Sequence, residues 1–103
     1  MDFFTIESIT KEQIPELECS ASEVLTCDEE MEVRRASIER AAYLSKSFYL
    51  KARIIFETSK GTKEVFTTIW ATTDNFIVLK GGVTLPIHCV KGISVPLRSS
   101  MKE

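Results

Sequence analysis

The stretch Phe76-Ile77-Val78-Leu79-Lys80-Gly81-Gly82-Val83-Thr84-Leu85-Pro86-Ile87-His88 decides the fold class. Two short apolar runs, 76–80 and 83–88, flank a Gly-Gly pair. A two-residue primed hairpin needs positive φ at its centre, which glycine adopts freely. That turn sets Leu79 opposite Thr84, Val78 opposite Leu85 and Phe76 opposite Ile87. Pro86 cannot donate to a ladder, so it marks an edge or a strand end.

The same grammar repeats on either side of this stretch. Asp74-Asn75 is a second two-residue turn, which puts Ala71 opposite Val78 and Trp70 opposite Leu79. Ser59-Lys60-Gly61-Thr62 divides Phe48–Thr58 from Glu64–Thr72, and Gly92 precedes a last short segment, Ile93–Val95. Five β segments over 48–95 form a meander that must curl into a small barrel or a strongly bent sheet.

The register predicts two surfaces, because side chains alternate along a strand. One holds Ile69, Ala71, Phe76, Val78, Leu85 and Ile87. The other holds Phe66, Trp70, Ile77 and Leu79, with Thr68, Thr72, Thr84 and His88 around them. Both are apolar, whereas a sheet wet on one side alternates more cleanly. One surface therefore lines the core. The other is covered by a helix or by another subunit, which makes Phe66, Trp70, Ile77 and Leu79 the candidate interface.

A helix over 27–46 precedes the strands. Thr26 is the expected N-cap, with Glu29 three residues on. Asp28, Glu29, Glu30 and Glu32 lead, and Arg34, Arg35, Arg40 and Lys46 follow, an order that suits the helix dipole. Glu30 and Arg34 are spaced as an i, i+4 pair. Met31, Ile38, Ala41, Ala42 and Ser45 form its narrow inner face, which Val33, Ala36, Tyr43 and Leu44 widen. Arg34, Arg35 and Arg40 read as a solvated stripe.

Residues 1–26 read as an irregular or short helical arm. Phe3, Phe4, Ile6 and Ile9 suit a short strand, and Thr10 with Gln13 has the capping-box form ahead of Pro15. Residues 97–103 are polar and expected to fray. One domain spans 1–103, since 103 residues with 44% hydrophobic content suffice for a single core.

A net charge of −2 argues against broad nucleic-acid binding, which needs a basic surface. The start shows no signal peptide, and no apolar run reaches a membrane span. Cys19, Cys27 and Cys89 are odd in number and lack zinc-site spacing, which fits a reducing cytoplasm and no metal. His88 and Cys89 are neighbours, so on a strand they face opposite ways and make no dyad. No catalytic set converges and no cofactor motif appears, since Gly81-Gly82 lacks the helix of a phosphate cradle.

The C-terminal half also resembles a known family. Asp74-Asn75-Phe76-Ile77-Val78-Leu79-Lys80, then His88-Cys89-Val90 with Ile93 and Val95, is similar to the Sm-like (Hfq-type) small β-barrels. In that family the phenylalanine after the Asp and the later histidine help hold RNA at a ring's inner rim. The resemblance implies Phe76 and His88 as RNA-binding residues. Ile87 stands where the family has a lysine, and Thr67-Thr68-Ile69-Trp70 where it has a glycine. The whole chain also resembles small bacterial proteins, which implies no mechanism.

The expectation is thus an α+β protein: an N-terminal helix, then a small, strongly bent five-stranded antiparallel sheet or barrel of SH3 or Sm type. Its expected role is a non-enzymatic, cytoplasmic interaction or assembly module, a homo-oligomer with room for a protein partner. The alternative is an Sm-like ring that binds single-stranded RNA.

Overall fold

In the computed structural model, residues 6–96 are described, and the expectations for Phe3, Phe4 and 97–103 lie outside them. The elements in chain order are β1 (Glu7–Ile9), α1 (Asp28–Phe48), β2 (Ala52–Thr58), β3 (Gly61–Thr67), β4 (Ile69–Thr72), β5 (Phe76–Leu79), β6 (Thr84–Pro86) and β7 (Val90–Ser94). Short 3₁₀ turns cover Lys11–Glu16, Lys80–Gly82 and Ile87–Cys89. The protein is α+β, as expected. Among the described residues the strands number seven rather than five and lie in two sheets, ordered β1-β3-β2-β7 and β4-β5-β6. One pair, β1 with β3, is parallel, and no closed barrel forms among the described residues. The helix is central in the chain rather than first, because β1 precedes it.

β2 is the spine. Ala52, Ile54, Phe56 and Thr58 face inward, and the strand pairs antiparallel with β3 on one side and β7 on the other. The run expected as one strand, Glu64–Thr72, is two. The chain leaves the first sheet after Thr67 and enters the second at Ile69, so Thr68 is the crossing point. The inner faces of both sheets meet in one core. Ile54, Phe56, Val65, Ile69, Ile77, Leu79, Leu85 and Val90 join Ile38, Ala41 and Ala42 of α1 there. Each fully buried Ile or Leu contributes roughly 2 kcal/mol of apolar transfer.

The helix packs on β4 and β7 and closes the core between the sheets. Its small residues, Ala41, Ala42 and Ser45, permit that approach. Its N-cap is Cys27 rather than Thr26, without a side-chain capping bond. Val33 and Tyr43 do not widen the buried face; they are exposed. The helix runs on through Phe48, and Tyr49 then turns the chain in the left-handed region at φ 59°, its N–H donating to the Ser45 carbonyl. The Ser45 hydroxyl donates to Leu50 O, which fixes the exit. The first strand of the meander therefore starts at Ala52, not Phe48.

A non-glycine residue at that position carries steric cost, and the Tyr49 side chain is 83% exposed. Tyr49→Gly is expected to raise stability by about 1 kcal/mol in urea unfolding. A loss of stability would mean that the tyrosine ring contributes more than its backbone costs.

Candidate interaction surface

Two local irregularities decide which residues the second sheet shows to solvent. The Asp74-Asn75 turn closes as expected, with Thr73 N–H donating to Phe76 O, and Ala71 stands opposite Val78. Leu79, however, pairs with Ile69 rather than Trp70. A β-bulge puts both Trp70 and Ala71 against Val78, so the alternation beyond it reverses. The Gly81-Gly82 loop has three residues, not two. Leu79 N–H donates to Val83 O, and Lys80, Gly81 and Gly82 lie outside the ladder. Both glycines have φ 87°. The extra residue shifts β6 by one: Phe76 pairs with Pro86, Ile77 with Leu85 and Val78 with Thr84.

The two surfaces exchange members as a result. Ile69, Ile77, Leu79 and Leu85 all point inward and are essentially inaccessible. The outer face carries Trp70, Ala71, Phe76, Val78, Thr84 and Pro86. Among the described residues of these strands it holds no charged side chain. Trp70 is 52% exposed and Phe76 43%. Of the four residues expected to form an interface, Ile77 and Leu79 are core, whereas Phe66 and Trp70 are half exposed.

Phe66 belongs to a different surface. It lies on the outer face of the first sheet, directly opposite Arg53. That face is charged: Arg53 pairs with Glu64 at 3.7 Å, and the Lys51 ammonium stands 5.8 Å from the Phe66 ring centroid. The uncharged patch is confined to the second sheet, in which β6 is an edge strand ending at Pro86, whose missing N–H suits that place.

Phe76 and His88, the residues singled out by the resemblance, differ in availability. Phe76 opens to solvent at the start of β5. His88 sits in the 3₁₀ turn before β7, half-buried, its Nε2 2.6 Å from the Ser20 carbonyl oxygen. The Val24 N–H donates to the His88 carbonyl in return. His88 thus fastens a strap, residues 17–27, that runs between the first 3₁₀ turn and the helix. Cys89 points elsewhere, donating to Pro86 O at 3.2 Å.

The strap has a second fastening that patterning does not reveal. Arg34 is 7% exposed at its side chain. Its Nη1 and Nη2 each donate to a Glu23 carboxylate oxygen at 2.7 Å, and Nη1 also donates to Val90 O at 3.0 Å. The expected Glu30 partnership is absent among the described contacts, and the arginine belongs to the buried face, not to a solvated stripe. The Arg34 guanidinium holds the Glu23 carboxyl down to about 2. The Leu25 N–H, which also donates to it, acts in the same direction.

A carboxyl depressed in the folded state stabilises it above the unfolded pKa of about 4.3, and that contribution disappears as pH falls through the folded value. Between pH 6 and pH 3 the protein is expected to lose ~1 kcal/mol through Glu23, after allowing for its partial exposure. Glu23→Gln removes that part of the slope, which urea midpoints at the two pH values would show. An unchanged slope would mean that other carboxylates set the acid response.

Arg34 also floors two grooves beside the helix, one of about 360 Å³ toward Asp74 and Ile87 and one of about 480 Å³ toward Lys91 and Ile93. Its guanidinium is already committed to Glu23 and Val90, so neither groove offers it to a ligand. Among the described residues, no three His, Cys, Asp or Glu side chains converge as a metal cluster would require. Among them, too, no helix is long and apolar enough to cross a membrane.

No protein-family model, curated protein or solved structure matches this chain. The surface must be interpreted from its own chemistry.

Proposed function

We propose that the protein is a non-enzymatic assembly module whose outer β4-β5-β6 face closes on a second copy of the chain. The observation that carries this reading is the uncharged outer face with Trp70, Phe76, Val78 and Pro86 side by side. An antiparallel sheet with a solvated face would show polar residues there. A face without charge offers nothing to a charged partner, and its best complement is another such face. An isologous contact supplies one at no further sequence requirement.

The small-barrel expectation bears on the same assembly. β7 returns to β2, the first strand after the helix, and a 3₁₀ turn leads into it. That connectivity favours an SH3- or Sm-like arrangement opened between its two sheets. The RNA-binding ring remains a second reading, supported by the exposure of Phe76. The engagement of His88 with Ser20 weighs against it, as does the net charge of −2.

Light scattering on a sizing column, with the 260/280 nm absorbance ratio followed across the peak, tests both. A nucleic-acid-free oligomer supports the assembly module. A ring-sized species carrying nucleic acid supports the RNA reading. A monomer at every concentration contradicts the proposal.

A further inference from the structure

Cys19 and Cys89 are remote in sequence but meet at one end of β2. Cys19 forms an antiparallel bridge to Thr58, with Ser20 N–H donating to Glu57 O and Ser59 N–H donating to Glu18 O. Residues opposite one another in such a bridge point to the same face, and Thr58 faces the core. Cys19 therefore turns inward. Cys89 immediately precedes Val90, which pairs with Phe56 two residues back along β2, and is fully buried in the core that Cys19 packs against. Burial raises the Cys89 pKa, and the adjoining Cys19 thiol raises it further. Both cysteines are free, and Cys19 is the more exposed of the two.

We propose that Cys19 and Cys89 are a dithiol site that a low-molecular-weight disulfide oxidises to an internal disulfide, locking the 17–27 strap to the turn before β7. In the first step the Cys19 thiolate attacks one sulfur of RS–SR. The S–S bond breaks, and RS⁻ leaves with the electron pair. In the second, the Cys89 sulfur attacks Cys19 of the mixed disulfide. Its proton goes to the departing thiolate, and a second RSH is released. Two protein thiols are oxidised, and one small disulfide is reduced to two thiols. The order follows from access, since the partly exposed Cys19 meets the reagent and the buried Cys89 meets only Cys19. This proposal rests on the strap and not on the outer face of the second sheet.

The test uses the full chain carrying Cys27→Ser, which removes the exposed third thiol. After incubation with oxidised glutathione the intact mass should fall by two hydrogens, with no glutathione retained. Peptide mapping without reductant should join Cys19 to Cys89. The thermal midpoint should rise, because the bond constrains the unfolded chain, and should return on reduction. Adding Cys19→Ser should leave Cys89 a free thiol. Glutathione retained on Cys19, or both thiols recovered free after unfolding and alkylation, would overturn the proposal. So would glutathione bound directly to Cys89 in the Cys19→Ser chain.

Discussion

Glu23→Ala is expected to destabilise the protein by about 3 kcal/mol, the cost of leaving a buried charge without its partner. Arg34 is 7% exposed, and after the substitution its guanidinium keeps only the Val90 carbonyl. The Leu25 N–H loses its acceptor as well. The reverse truncation is milder in its electrostatics, since the Glu23 side chain is 31% exposed and water can reach the carboxylate. Arg34→Met, which keeps most of the buried volume, should therefore cost less than Glu23→Ala. The double variant should cost less than the two singles summed, because the charge that each single leaves unpaired is gone. Urea unfolding of the three chains checks this order. A loss under ~0.5 kcal/mol for Glu23→Ala would place it with ordinary surface substitutions and show that the guanidinium already has other solvation.

Trp70→Asp should leave the single chain folded and dissolve the assembly. In one copy Trp70 is half exposed on the bulge and is not a member of the buried core. In an interface it is the largest apolar group of the patch, and buried tryptophans are the residues whose truncation costs most, commonly 2 kcal/mol or more. An aspartate at the same point adds the desolvation of a charge on both copies of an isologous contact. Association should weaken by at least about 30-fold, the equivalent of 2 kcal/mol per site. The check is solution mass against concentration, with circular dichroism to confirm that strand content is retained. An unchanged mass would remove Trp70 from the interface.

How far the sequence foretold this structure varies by element. The helix was legible because Ile38, Ala41, Ala42 and Ser45 recur at helical spacing and its charges follow the dipole. The Asp74-Asn75 turn was legible too, and the pairing of Ala71 with Val78 followed from it. The outer face was not. A bulge at Trp70-Ala71 adds one residue with no glycine to announce it, and Gly81-Gly82 serves a three-residue loop as readily as a two-residue one. Each slip exchanges the faces of a strand, so two slips moved Ile77 and Leu79 into the core beside Leu85 and brought Phe76 and Val78 out beside Trp70. Ile77 followed by Val78 left hydrophobicity unable to choose between the registers.

Arg34 was missed for another reason. Its partner Glu23 lies outside the helix, in a strap with no periodicity, and charge patterning along one helix cannot find it. An arginine in phase with Ile38, Ala41 and Ser45 was the available signal. A charged residue on the apolar face of a helix requires a partner from elsewhere.

If the outer β4-β5-β6 face closes on a second copy, Trp70, the chain's one tryptophan, lies in the contact. The most direct test is its fluorescence emission wavelength across a dilution series. Closure of the face predicts blue-shifted emission at high concentration, moving to the red as the copies separate and the half-exposed ring meets water. Emission at a solvent-exposed wavelength that does not change with concentration, together with a monomeric mass, would contradict it.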